Sequence, residues 1–540
     1  MFGDIIKNSG FDYIIVGGGS AGCVLANRLS MNSNSRVLLL EAGGASHNFW
    51  IKLPVGYFRT MNDIRYSWQF PVEPQSETYS RKMTWPRGKV LGGSSAINGL
   101  LYIRGQKEDF DDWSNLGAQG WDYSSVLPIF KKSERYAGGE SDYHGGSGEL
   151  FVSDLRNDHS YCESWLQAAE QAGHPRNHDF NGRHSIGVGK YQLTIRGHWR
   201  SDASSAFLKP IQSRPNLSII TNAHVVEISQ SKGRATGVKW IQNGILSTAT
   251  SDCEVILAAG ALQSPQLLQL SGIGPPEILK KYNIKVLVDS SEVGRNLQDH
   301  YQARVIVKLK KPHSLNDDIR NPIKLAEMGA QWLFKKKGPL TVGAGQVGGL
   351  SCTKYAQNNR ADVLFNVMPL SVDKPGEPLH QFSGFSASVT QCRPLSRGTV
   401  EVRSGDPMEA PKITPNYLKN PEDIKVLVAG LHQLRDIYAQ PVFKKLITND
   451  EYFPGNSIVT DAQLAEFARF KGGTVYHPVG TCRMGSDNLS VVDDRLRVRG
   501  VEGLRVIDAS IMPTMVSTNT NAATIMIGEK GASMIIEDNG

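Results

Sequence analysis

The sequence predicts an α/β protein, α+β in overall content, in which a doubly wound parallel sheet carries an inserted domain built on an antiparallel sheet. Three observations predict this. A strand, glycine turn, helix and second strand open the chain, and strands of the same fully apolar kind return only far downstream. Between them lies a stretch that alternates in the manner of half-exposed strands.

Taken in order, Tyr13-Ile14-Ile15-Val16 is a short β-branched run suited to a strand buried on both faces. Glycines at 17, 18, 19 and 22 follow, then a helical stretch through Arg28-Leu29. Arg36-Val37-Leu38-Leu39-Leu40 is the second strand, ending at Glu41. That is one βαβ unit of the Rossmann type. Matching strands recur at Val255-Ile256-Leu257-Ala258 and Leu504-Arg505-Val506-Ile507, so a parallel sheet assembles from distant segments around an insertion. The stretch 301–471 differs. Pro322 opens a helix reaching Phe334, where proline suits the first helical position, and Gly398–Val402 alternates as a strand. The chain therefore divides into a nucleotide-binding part at 1–157, 199–300 and 472–540, and a substrate-side part at 158–198 and 301–471.

At 540 residues the chain exceeds what one hydrophobic core serves, which agrees with two domains. A net charge of +7 is mild at this length, and no Lys/Arg run interleaves with stacking aromatics, which argues against nucleic acid. The compact basic run Lys335-Lys336-Lys337 reads as a solvated loop, with weak contact to anionic lipid as the alternative. Six cysteines without a CxxC pair exclude zinc and dithiol-redox readings and imply reduced thiols. His174, His178 and His184 sit in a Pro/Asn/Gly-rich stretch without further ligands and read as loop residues; no metal site is expected. MFGDIIKNSG lacks the features of a secretory signal, and no apolar run reaches eighteen residues. The expectation is a cytoplasmic protein with at most peripheral contact to the inner membrane.

Gly17-x-Gly19-x-x-Gly22 lies directly after a strand and opens a helix. Its glycines serve a tight turn, close approach to a pyrophosphate and close helix packing, and helix amides face the phosphates. Glu41, 19 residues beyond Gly22, ends the second strand where a carboxylate accepts from ribose hydroxyls and repels a 2′-phosphate. These residues do not separate FAD from NAD.

Four further stretches do. WPRGKVLGGSSAING at 85–99, GALQSPQLLQLSGIG at 260–274, Tyr476–Thr481, and Asp508-Ala509-Ser510 leading to Asn519-Thr520-Asn521 follow one another in order. Together they resemble the signature stretches of the glucose–methanol–choline (GMC) oxidoreductases, from Gly17 to Glu529. The resemblance is strongest to the choline-dehydrogenase-like bacterial alcohol, polyethylene glycol and sorbose dehydrogenases. It implies the GMC fold and FAD lined by Gly17, Gly19, Ser20, Gly22, Glu41, Arg87, Gly93, Asn98, Leu100, Val225, Ala259, Asp508, Ala509 and Asn521. The Asn98–Leu101 backbone is placed along the flavin N5 edge, and main-chain groups at Val225 hold the adenine. Some members carry a covalent flavin on a histidine where this chain has Ile97, so non-covalent FAD is expected. The last helix, from Asn521 through Ile536, is placed with its N-terminus toward the flavin pyrimidine, where its dipole stabilises negative charge.

Oxidising an alcohol requires removal of the hydroxyl proton as hydride leaves the same carbon. Histidine suits the proton step, a polar donor holds the developing alkoxide, and the flavin takes the hydride at N5. The resemblance assigns His477 as the base and Asn519 as its partner, with His224 and His300 structural or positioning the backbone near the cofactor. The expected activity is oxidation of a primary alcohol or polyol to the aldehyde or ketone, with electrons passed to a quinone or other acceptor. The alternatives are an O₂-using oxidase, choline dehydrogenase, and the family's hydroxynitrile lyases and fatty-acid photodecarboxylase.

Overall fold

The computed structural model describes residues 10–374 and 376–539. Residues 1–9 of the opening stretch, read for the lack of a secretory signal, lie outside these. The first sheet begins as expected, with strand β1 (Gly10–Val16), helix α1 (Ser20–Leu29) and strand β2 (Val37–Leu40). It continues through β3 (Leu217–Ile220), β4 (His224–Ser231), β5 (Arg234–Gln242) and β6 (Ile245–Leu257), and helix α2 (Gly260–Leu270) follows. The strand order is β3-β2-β1-β6-β5-β4, and the strand Leu504–Val506 adds beside β6. β3, β2, β1, the far half of β6 and Leu504–Val506 run parallel. Ile14, Ile15 and Val37–Leu40 are at most 1% exposed; α1 packs on β1 and β2 and is itself backed by the C-terminal helix Asn521–Asn539.

β6 is longer than the run Val255–Ala258 foretells, since it serves two regimes. Its first half alternates in burial and pairs antiparallel with β5, while Val255, Ile256 and Leu257 are buried on both faces beside β1. The alternating half carries Ser, Thr and Asp rather than an apolar run, so its sequence reads as loop.

The second sheet comes from 301–474. It comprises β7 (Tyr301–Leu309), β8 (Val347–Ser351), β9 (Val363–Met368), β10 (Gly384–Gln391), β11 (Ile447–Phe453) and β12 (Gly473–Thr474), in the order β8-β9-β10-β7-β11 with β12 beside β7. Every pairing in it is antiparallel. Helix α3 (Pro322–Ala330) starts at the anticipated proline, with the Asn321 side chain accepting from the amides of Ile323 and Lys324. A wider turn, Gln331–Lys335, extends it past Phe334. The strand anticipated at 398–402 is real but short. Thr399–Glu401 pairs with Lys412–Thr414 in a separate four-stranded sheet, which also takes in the hairpin Ser67–Val72 and Met83–Gly88. Phe70, Val72 and Trp85 of that hairpin pack into the core of the second sheet together with Tyr161, Trp165 and Val188. The core of the first sheet is distinct from it, and the site forms between the two.

Candidate active site

The edge of β1 and α1 that faces the second sheet is shaped by close backbone approach. A Cβ on Gly22 would lie 1.8 Å from the carbonyl oxygen of Gly17, so only glycine lets α1 seat on the turn. Gly93 sits at φ +52 with its Cα side against Gly19, where a Cβ would come within 2.7 Å of the Gly19 Cα. The Gly92 amide donates to the Gly18 carbonyl at 2.7 Å, which stitches the loop 92–96 to the turn 17–22. Gly19 itself faces open space, its nearest neighbour to a Cβ being the Ala258 carbonyl at 3.8 Å. That space is one end of a continuous cavity bordered by Gly17, Ser20, Glu41, Ala259 and Val225.

The N-termini of three helices meet this cavity: α1 at Ser20, α2 at Gly260 and the C-terminal helix at Asn521. Each presents the positive end of its dipole, so the cavity favours a polyanion. The Asn521 side-chain oxygen accepts from the Ser20 hydroxyl at 2.8 Å, joining two of the termini. At the end of β2 the Glu41 carboxylate accepts from the amides of Gly18 at 2.8 Å and Gly43 at 2.7 Å. Burial nevertheless pushes it up to about 7. Each of its oxygens keeps a second lone pair, and a ribose diol would donate to them and lower that pKa.

At the far end of the cavity lie His477 and Asn519. Antiparallel pairing of 298–302 with 473–479 sets His477 beside His300, through Tyr301 opposite Thr474 and Gln298 bridged to Val479. Asp299 fixes this crossing. It accepts from the His477 amide at 2.6 Å, from Thr474 Oγ1 at 2.5 Å and from the Tyr417 hydroxyl. Burial raises it to about 6 in spite of these bonds. Arg87 Nη1 donates to the Tyr476 carbonyl at 2.8 Å. Tyr476 holds φ +66, a conformation that costs free energy in a non-glycine residue and is retained here by Arg87 and Asp299 on either side. Leu100 holds φ +67 across the cavity, its amide donating to Asn98 Oδ1 at 3.1 Å.

The ring nitrogens form a relay whose tautomers follow from its far end. His300 Nε2 is 2.9 Å from the Cys392 carbonyl, which can only accept, so that nitrogen carries the proton. His300 Nδ1 is then an acceptor, and His477 Nδ1 at 2.9 Å donates to it. The lone pair of His477 is left on Nε2, facing the cavity, where Asn519 Nδ2 stands at 3.2 Å. Burial, helped by His300 and Arg87, holds the His477 imidazolium pKa well below 6.5, and His300 is lowered to about 4 by burial. His477 is therefore a neutral base at neutral pH. Among the described residues Asn519 Oδ1 and the Tyr57 hydroxyl are buried on the cavity wall without a partner, as polar groups that take a bound ligand are.

Family models described as GMC oxidoreductase match residues 11–302 and 394–528. The chain belongs to the GMC oxidoreductase family. This GMC oxidoreductase is 41% identical over 537 residues to an alcohol dehydrogenase [acceptor] of Pseudomonas putida, covering 97% of this chain and 96% of that one. It is 38% identical to a mitochondrial choline dehydrogenase of Mus musculus over 97% and 89% of the two chains. Among solved structures, a formate oxidase of Aspergillus oryzae studied for its FAD modification superposes with a TM-score of 0.91, at 26% identity over 99% of each chain.

The cavity of this GMC oxidoreductase brings together Gly17, Gly19, Ser20, Glu41, Arg87, Gly93, Asn98, Leu100, Val225, Ala259, Asp508, Ala509, Asn519, Asn521 and His477, although they span the whole chain. Gly22 sits behind the turn rather than on the wall. Some of these side chains are engaged elsewhere. Asp508 accepts from the Gly260 amide at 2.8 Å and the Ser264 hydroxyl at 2.6 Å, which anchors the start of α2. Asn98 Oδ1 also accepts from Arg200 Nη1 at 2.7 Å. Arg200, 2% exposed, further donates to the carbonyls of Ser95 and Ile51, and so braces the loop along the cavity. Sequence reasoning missed Arg200, Asp299 and the specific role of His300. Nothing local marks an arginine 102 residues from its partner, whereas the run Gln298-Asp299-His300 at the head of a strand was a weak signal.

Proposed function

We propose that this protein is an FAD-dependent alcohol dehydrogenase in which His477 removes the hydroxyl proton and Asn519 holds the oxygen. One observation carries the reading: the relay from Cys392 through His300 leaves a basic Nε2 on His477, 3.2 Å from an amide donor, in a cavity that begins at a dinucleotide turn. Bound FAD supplies the hydride acceptor. The residues at hand suit it: the N-termini of α1 and α2 would face its pyrophosphate, Glu41 its adenosine ribose, and the 98–101 loop and the helix start at Asn521 the flavin ring. Ile97 offers no nucleophile, which supports non-covalent binding.

The alcohol hydroxyl donates to His477 Nε2 and accepts from Asn519 Nδ2, so the oxygen is held while its proton leaves. His300 keeps the Nδ1 proton in place, which prevents the base from presenting the wrong nitrogen. The rest of the cavity sets the substrate class. Its lining carboxylates are Glu41 and Asp508, both at the dinucleotide end, whereas Arg304 lies on the opposite wall with Gln302, Asn366, Ser386, Ser388 and Thr390. Among the described residues no carboxylate lines that wall to hold a quaternary ammonium, which favours a neutral primary alcohol or polyol over choline. A quinone or other acceptor completes the cycle.

The test is the anaerobic visible spectrum with a panel of alcohols, polyols and choline. Bleaching in the dark by a neutral alcohol supports the reading. A flavin bleached by none of them shifts it to lyase or photochemical activity. Glu41→Ala is expected to release FAD, measured as flavin retained through gel filtration, while turnover per bound flavin stays near wild type. Full retention would place the ribose contact elsewhere. His300→Leu is expected to lower kcat by about 10²-fold, the lower end of what a positioned general base contributes, with KM and FAD content little changed. His300→Gln, whose amide can donate to Cys392 and accept from His477, recovers most of it. Equal damage from both variants would reduce His300 to a packing residue.

A further inference from the structure

Helix α3 is inside out. An ordinary surface helix turns its apolar stripe inward and its charges outward, yet the buried residue of α3 is Met328. Ile323, Ala326, Ala330, Leu333 and Phe334 recur at helical spacing on the side away from Met328, and all are exposed. Ile323 is 77% and Phe334 78% exposed, more than a helix packed on its own protein leaves. Beside them stands an aromatic cluster from three separate segments. Trp332 packs edge-on against Phe49 and Trp199 at 6.0 and 4.8 Å, Phe49 meets Trp50 at 5.6 Å, and the Arg59 guanidinium lies 4.0 Å over the Trp50 ring. Phe49, Trp50 and Trp199 are themselves part-exposed at 49, 36 and 36%.

The charges along this face are not balanced. Arg320 pairs with Asp317 at 3.0 Å and Lys324 with Glu327 at 3.1 Å. Asp318 alone is then left against Lys335, Lys336 and Lys337, which close the helix and have no carboxylate within ion-pair distance among the described residues. A protruding apolar stripe, interfacial tryptophans and a cationic edge together fit one partner, the surface of an anionic phospholipid bilayer.

We infer that α3, the turn after it and the Phe49–Trp50–Trp199 cluster form a membrane-docking face that seats the protein on anionic lipid. The inner side of the helix supports this. Met328 packs with Leu370 and Val372, and with Phe58 and Met368, and these four are apolar lining residues of the cavity described above. Docking therefore sets the cavity wall next to the bilayer, where an apolar alcohol or quinone partitions. The docking face stands whichever alcohol the site accepts.

The experiment is co-sedimentation of the holoprotein with vesicles of phosphatidylglycerol and phosphatidylcholine, against vesicles of phosphatidylcholine alone. Wild type is expected to pellet with the anionic vesicles and much less with the neutral ones. Ile323→Asp with Phe334→Asp should lower the partition coefficient about tenfold or more. Lys335→Gln, Lys336→Gln and Lys337→Gln together should lower it roughly 100-fold, on anionic vesicles only. Neither set should alter turnover of a water-soluble alcohol with a dye acceptor. Failure of wild type to pellet with anionic vesicles overturns the proposal, as does wild-type partitioning of both variants. So does a shift from dimer to monomer on gel filtration of the aspartate variant, which would make the face a contact between two copies of the chain.

Discussion

Replacing His477 by alanine lowers turnover roughly 10²–10⁴-fold, the range over which a positioned general base contributes, and leaves bound FAD in place. The expectation rests on Nε2 being the one basic atom that the His300 relay delivers to the cavity. Rapid-mixing measurement of anaerobic flavin reduction isolates this step from reoxidation by the acceptor. Near wild-type reduction rates would remove His477 from its role. The same reading fixes a pH profile. The neutral imidazole is the active form, and burial with the neighbouring His300 and Arg87 sets its conjugate acid well below 6.5. Activity is therefore retained as pH falls through 6.5, and the acid limb of kcat/KM lies below that value. A limb above 6.5 would mean that the titrating group is not this histidine.

Asn519→Ala should cost about 10²–10³-fold in kcat, the scale of losing one preorganised donor to a developing oxyanion. Its Nδ2 stands 3.2 Å from His477 Nε2, placed to donate to an oxygen bound beside the base. A second substitution separates charge from geometry. Asn519→Asp puts a carboxylate within reach of His477 Nε2, which favours the imidazolium and raises its pKa. More alkaline solution is then needed to free the base, so the acid limb moves to higher pH, while Asn519→Ala leaves it below 6.5. Identical pH profiles for the two variants would separate Asn519 from the base.

These predictions rest on residues read with unequal ease from the chain. The turn at 17–22, the strands 13–16 and 37–40 and the acid at 41 are a local matter. Their chemistry is written within one βαβ unit, and the unit folds as read. The helix at 322–330 was equally legible by its proline and spacing, but the orientation of its apolar side was not. Periodicity shows that a helix has a stripe, whereas only packing shows whether the stripe faces the core or leaves it. For the same reason Thr399–Glu401 reads correctly as a strand while the sheet it enters, which runs through 412–414 to the hairpin at 67–88, is unreadable. Pairing between segments more than 300 residues apart leaves no mark on either one.

By itself the sequence determined the dinucleotide turn, the two-sheet architecture and the family, and it pointed to His477 and Asn519, because these are carried by residue type at short spacing. Tertiary structure alone decided which nitrogen of His477 is basic, that Asp299 and Arg200 brace the site, that Asp508 is bound to the start of α2, and which face of α3 is bare. Each of these depends on a hydrogen bond or contact across tens to hundreds of residues. Proton position and exposure are set by what stands opposite a side chain, and the linear order of residues does not specify what that is.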